Sequence, residues 1–138
     1  MNNSDRIGRQ VYCIIKDANG NSVQSNTVTL NAQYTIIFDG NGANAGSMAN
    51  SVHNCRETKS LTANAYKRSG HTYLGWSTSN TATSATYSNG QEIKASSPLT
   101  LTSATVTLYA VWKIDTYSVT YNANGGSSTP SAQTKTYN

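Results

Sequence analysis

Apolar and polar positions alternate along much of this 138-residue chain, in short runs broken by clusters of Gly, Asn and Ser. Alternation with period two predicts strands, because successive side chains of a strand point to opposite faces. In residues 34–39 (YTIIFD), Tyr34, Ile36 and Phe38 share one face, and Thr35 and Ile37 the other. Residues 106–112 (VTLYAVW) form the clearest run, with Leu108, Ala110 and Trp112 on one side and Thr107, Tyr109 and Val111 on the other. Residues 51–55 and 72–77 (TYLGWS) fit two more strands. Gly75, inside the latter, marks a bulge or a close backbone approach. Residues 40–47 read as a glycine-rich turn, and 80–89 as a polar loop carrying one aromatic, Tyr87. Residues 60–68 (SLTANAYKR) fit either a short helix or an irregular crossing, ended at Ser69-Gly70; a helix this short depends on tertiary packing. The pattern predicts a mainly β protein with at most one short helix, α+β being the alternative.

Sliding the chain along itself exposes an internal repeat, a feature whose omission misassigns the whole fold. At an offset of 83, Tyr34 meets Tyr117, Ile36 meets Val119, Phe38 meets Tyr121, Asn41 meets Asn124 and Gly42 meets Gly125. With one residue dropped, the stretch before Cys55 aligns with PSAQTKTYN, and Cys55 meets Tyr137. The expected division is therefore a complete unit at 33–113 and the first third of a second unit at 114–138. Residues 1–32 differ. Their VYCIIKDANGNSVQSNTVTL reads as two strands around a turn, with Val11, Cys13 and Ile15 alternating and Asp17-Ala18-Asn19-Gly20 supplying turn chemistry. A lone hairpin is marginal in water, so this segment reads as the end of a domain whose other strands lie upstream. An 80-residue unit buries only about 60% of its unfolded surface, which makes Trp76 and Trp112 its expected core anchors.

Composition places this β pattern outside the average globular interior. Charged residues are 12% of the chain, against about 25% usually. Nine Tyr, two Trp and one Phe still supply aromatic surface for a core, which excludes the composition of a disordered chain. Thr, Val and Tyr suit pleated surfaces, and Asn and Gly suit turns. A small-polar, aromatic-punctuated chain of this kind reads as an extracellular β module. The net charge of +4 is spread along the chain, and no basic run resembles a nucleic-acid stripe. No apolar stretch approaches the ~18 residues of a membrane span. MNNSDRIGRQ contains no signal-peptide core, so an export signal is expected upstream.

Candidate chemistry is sparse. Cys13 and Cys55 fit no zinc or redox spacing. A bridge between them is conceivable in an oxidising compartment, but each fits better as a residue of its own domain's core. His53 and Cys55 stand at i and i+2 on one strand face, yet neither a third group nor an oxyanion site accompanies them. Asp39, Glu57 and Glu92 are too scattered for a paired acid and base. Asp17-Ala18-Asn19-Gly20-Asn21 resembles a fragment of a calcium loop, but its glycine is misplaced and the closing Glu is absent, so a hairpin turn is the better reading. Asn2-Asn3-Ser4 is a formal glycosylation sequon. No cofactor or metal is expected. The weak binding candidates are Tyr87 and Tyr109, as exposed aromatics for a sugar, and Lys59, Lys67 and Arg68, as cations for an acidic polysaccharide.

The motifs Phe38-Asp39, Asn41-Gly42, Leu61-Thr62, Asn64, Tyr66, Gly70, Tyr73, Gly75-Trp76 and Thr107-Leu108-Tyr109-Ala110 with Trp112, in this order, resemble the Listeria–Bacteroides repeat, a family that includes the B repeat of listerial internalins. The resemblance covers 34–113, and 117–138 begins another copy. It implies a small β-grasp-like module, present in tandem on secreted or wall-anchored bacterial surface proteins. His71 departs from the usual Tyr, Gly40 and Ala43 shift the glycine pair, and Cys55-Arg56 stand where a Tyr and a small residue are common. Residues 1–32 resemble the closing strand pair of a bacterial immunoglobulin-like domain, with Cys13 in the place of its second core cysteine. The expectation is a non-enzymatic spacer of an adhesin-like protein at the bacterial cell surface, its partners being neighbouring repeats. The alternative is a module that binds host or wall glycan, or a surface protein through an open sheet edge. Neither nucleic acid nor membrane insertion is expected of this segment.

Overall fold

The computed structural model describes residues 8–137. Its centre is a mixed four-stranded sheet built from β5 (Gln33–Asp39), β6 (Ser51–Asn54), β8 (His71–Ser77) and β10 (Thr105–Ile114), in the order β6-β5-β10-β8. β5 and β10 run parallel, Leu108 beside Phe38. β6 and β8 pair antiparallel on the outside, with Tyr34 opposite His53 and Trp76 opposite Ala110. The alternation read from the sequence is the alternation of burial as far as Ala110: Tyr34, Ile36, Phe38, Leu108 and Ala110 are buried on one face. At the bulge the pattern breaks, with Val111 also buried and Trp112 only half-buried.

The segments between strands cover that face. Leu61 and Ile93 are buried there, joined by Met48, Tyr66, Leu99 and Leu101. Two short strands, β7 (Lys59–Ser60) and β9 (Glu92–Ile93), pair antiparallel within this cover. No helix forms among the described residues, which settles the choice at 60–68 in favour of the irregular crossing. The reason is local competition for backbone groups. Asn64 accepts the Tyr66 N–H at its Oδ1 (3.0 Å) and donates its Nδ2 to the Tyr66 carbonyl (3.1 Å), the side-chain bonding that makes Asn a poor helix residue. Leu61 N–H is taken by the Gln91 carbonyl (2.9 Å) and Lys67 N–H by Ala45 (2.8 Å). The segment gains sheet-like partners on both sides, and the Tyr66 hydroxyl is then free to reach the Phe38 carbonyl (2.8 Å).

Trp76 is the anchor of the core, fully buried with its ring 4.9 Å from Phe38 and 5.4 Å from Tyr73. Trp112 sits at the rim, half-buried, its indole N–H donated to the Gly40 carbonyl (2.8 Å). Between the two tryptophans β8 carries one extra residue: Val111 pairs with Gly75 and Trp112 with Tyr73, so Leu74 bulges out and is exposed. Gly75 makes the bulge possible. Its φ of 141° is a region side chains avoid, and a Cβ there would strike the Tyr87 carbonyl and Ala85.

Two hairpins flank the sheet. Before it, β1 (Gln10–Val11) pairs with β4 (Val28–Thr29), and β2 (Ile14–Lys16) with β3 (Ser22–Gln24). Val11, Ile15 and Val23 are more than half exposed on this ribbon. Its turn is a hairpin turn, as expected: Asp17 accepts the N–H groups of Asn19 and Asn21 (2.9 Å each) and the Asn21 amide (2.8 Å). That Asn21 amide bond, with the backbone donors, holds the carboxyl below its ordinary range, so the group is committed to the turn. After the sheet, β11 (Thr116–Val119) pairs with β12 (Gln133–Thr136). The sequon Asn2-Asn3-Ser4 lies outside the described residues.

Candidate functional site

The hairpin after the sheet repeats the first hairpin of the sheet bond by bond. Gln33 opposite Asn54 and Ile36 opposite Ser51 correspond to Thr116 opposite Thr136 and Val119 opposite Gln133. Asn41 N–H bonds to Asp39 Oδ1 at 2.7 Å, and Asn124 N–H to Asn122 Oδ1 at 2.8 Å. The two Asn residues share a left-handed φ, 46° and 47°, which the side chain of Asn tolerates better than most. The turn closes with Ala43 N–H on Gly40 O (3.1 Å) in one copy and Gly126 N–H on Ala123 O (2.9 Å) in the other. Cys55 N–H reaches Ala32 O at 2.8 Å, and Tyr137 N–H reaches Asp115 O at 3.0 Å.

A junction joins this second hairpin to the sheet. Asp115 N–H is accepted by the Gly70 carbonyl (2.8 Å), and the Asp115 carboxylate accepts the Thr72 hydroxyl (2.6 Å). The Tyr137 ring lies over Gly70, where a Cβ would fall inside it. Sequence reading did not single out Gly70, Thr72 and Asp115 as partners. The alignment of Cys55 with Tyr137 was the available signal, but only the fold shows which turn the ring meets.

The binding candidates do not converge. Tyr87 is half-buried against the core and bonded through its backbone to Trp76 (2.7 and 3.0 Å). Its remaining surface lines a cleft of about 300 Å³ with Gln91, Glu92, Lys94 and Ser97. Tyr109, also half-buried, lies between Asp39 and Ser77 on the sheet face opposite the core, since its neighbours Leu108 and Ala110 point inward. The cations are equally apart. Lys59 donates to the Val52 carbonyl (2.8 Å), beside the start of β5, whereas Arg68 lies on the turn after its end, 3.5 Å from the Asn41 carbonyl. Lys67 is exposed and its backbone bridges to Ala45.

His53 and Cys55 are both buried, side by side on the core face, and their environment works against nucleophilic chemistry. Burial raises the pKa of the Cys55 thiol, and its Sγ lies 3.7 Å from the Thr100 carbonyl. Burial, then Lys59, lowers that of His53. A thiolate nucleophile needs the opposite shift. Cys13 and Cys55 are both free thiols, Cys13 exposed and Cys55 buried. His53 packs on Tyr34, ring centroids 5.7 Å apart, and its Nε2 has no hydrogen-bond partner. Protonating it would bury an unpaired charge. The unfolded chain binds the proton near 6.5, and the folded chain only at lower pH. Stability from the neutral ring is therefore fully present above about pH 6.5 and is lost as pH falls through the depressed folded value. Urea midpoints should fall on acidification below 6.5, and His53→Leu should flatten that decline; an unchanged slope would refute the assignment.

Among the described residues, no three His, Cys, Asp or Glu side chains are grouped to hold a metal, and no helix is long and apolar enough to cross a membrane. A helix-free mixed sheet whose first hairpin recurs after its last strand defines a β repeat unit. A family model for the Listeria-Bacteroides repeat domain matches residues 34–111. The chain belongs to that repeat family. It is also 30% identical over 110 residues, 75% of its length, to a protein of Evansella cellulosilytica that carries the provisional description of a Gly-rich membrane protein. The match spans only 12% of that relative. No solved structure matches the chain at a significant level.

Proposed function

We propose that this chain is a stretch of a bacterial surface protein, and that the 33–113 unit is a non-enzymatic spacer, one bead of a stalk carried outside the cell. The observation that supports this most is the recurrence of the β5–β6 hairpin, register and turn included, immediately after β10. In tandem repeats each unit contacts its neighbours, and length grows with copy number. In this reading 114–138 opens the next unit. Residues 1–32 are the closing strand pair of an immunoglobulin-like domain, a reading supported by the exposed apolar side chains of Val11, Ile15 and Val23. The large relative described as a membrane protein, of which this chain matches a small part, supports a surface setting.

The expected result is a rod. Proteins carrying increasing numbers of the unit should lengthen by a constant increment in small-angle scattering, and the unit should show no tight, specific ligand on glycan arrays. A saturable glycan signal abolished by Tyr87→Ala would instead favour the alternative, an adhesive module. One observation speaks for that second reading, the polar cleft beside Tyr87.

A further inference from the structure

The joint after the sheet is more elaborate than a tether requires. The two ends of the β11–β12 hairpin meet Gly70 and Thr72 through three contacts: Tyr137 over Gly70, Asp115 N–H on the Gly70 carbonyl (2.8 Å), and the Thr72 hydroxyl on the Asp115 carboxylate (2.6 Å). Gly70 is left-handed, with a φ of 65°, and its missing side chain leaves room for one face of the ring, the other remaining open, with Tyr137 46% exposed. The hairpin itself has little to hold it. Tyr117 and Tyr121 are exposed, every residue of β12 is exposed, and an isolated two-stranded hairpin is marginal in water.

The same place at the front of the sheet unit is built differently. Cys55 N–H and Ala32 O reproduce the backbone bond of Tyr137 and Asp115 (2.8 against 3.0 Å), but Ala32 has no carboxylate and Cys55 no ring. Cys55 instead turns into the core of its own unit. What precedes it is a hairpin of other sequence, reached by Asn31 N–H on the Leu101 carbonyl (2.7 Å), with Val11, Val28, Leu30 and Leu101 bordering an open cleft. The acid and the ring are present where a repeat precedes and absent where one does not.

We propose that Asp115 and Tyr137 form a plug, and Gly70 and Thr72 a socket, by which each repeat unit docks on the copy that follows it in the same chain. The partner is defined by chemistry: a unit of the same fold with an acid before its first strand and an aromatic after its second. The 33–113 unit, with Ala32 and Cys55 in the plug positions, is then the first of its series, with a socket but no plug. The proposal rests on the repeat reading and adds direction and stiffness to it, because part of each unit's stability becomes a contribution from its neighbour.

Amide hydrogen exchange on the whole chain tests this. Tyr137→Ala should lower protection of the Thr116–Val119 and Gln133–Thr136 amides about five- to thirtyfold, the effect of losing a contact of ordinary strength, while the amides of β5 and β10 keep theirs. Thr72→Val should produce a smaller loss in the same amides, and Tyr137→Phe should keep the protection. Unchanged protection of the hairpin in Tyr137→Ala would overturn the proposal. So would an equal loss in β5 and β10, since Tyr137 would then be a general stability residue. A specific glycan ligand would sink the spacer reading without moving these exchange rates, so the two ideas fail separately.

Discussion

Trp76→Ala should leave the repeat unit unfolded or nearly so, at a cost of about 3–5 kcal/mol. The indole is fully buried and touches an aromatic from each side of the core: Phe38 at 4.9 Å, Tyr73 at 5.4 Å and Tyr66 at 6.4 Å between centroids. Nothing nearby is placed to fill the space. Phe38 and Tyr73 are fixed by their strands, and Tyr66 by its hydroxyl bond to the Phe38 carbonyl. Domains hold roughly 0.05–0.15 kcal/mol per residue, so a unit of this size has a total stability of the same order as the loss. Chemical denaturation followed by far-ultraviolet circular dichroism would measure it. The indole N–H has no hydrogen-bond partner. Trp76→Phe therefore leaves no polar group newly unpaired and should cost clearly less than the alanine variant. If alanine and phenylalanine cost the same, the packing argument is wrong.

Gly75→Val should be the second most damaging change, although it adds atoms rather than removing them. A φ of 141° costs a non-glycine residue about 1–3 kcal/mol. The new Cβ would also press on the Tyr87 carbonyl, which accepts the Trp76 N–H at 2.7 Å. The chain can relieve the clash only by releasing the Tyr87 bridge to Trp76 or by flattening the bulge that lets Tyr73 and Trp112 meet at 5.5 Å. The readouts are a lowered denaturation midpoint and faster exchange at the Thr86, Tyr87 and Trp76 amides. Unaltered exchange at those three positions would show that the bulge does not depend on glycine.

These two residues also mark where sequence reasoning was strong and where it ran out. The strands of the sheet follow from period-two alternation, because burying one face of a pleat demands it. Gly75 was readable as a bulge or a close approach, and it is both. The 60–68 crossing was not decidable locally. The choice there is made by bonds to Gln91 and Ala45, residues distant in the chain. The exposure of Tyr87 and Tyr109 was equally beyond local reading. One pairs with Trp76 and packs on the core, while the other lies on the far face of the sheet, so aromatics that resemble a platform in sequence sit on opposite sides of it. Lys59 and Arg68, nine positions apart, are carried to different ends of β5 by the same fold.

The sequence by itself determined the strand faces, the family motifs and the recurrence at an offset of 83, all of which depend on residue order and on the two-residue period of a strand. Only the tertiary structure decided which loop meets which. It put the Tyr137 ring on Gly70 and the Thr72 hydroxyl on Asp115, and it separated the tyrosines and the cations. The reason is that such contacts depend on the pairing of β10 with β8, which sets Lys113 beside Thr72 and Ile114 beside His71, and with β5, where partners lie about 70 positions apart; no local pattern encodes those distances.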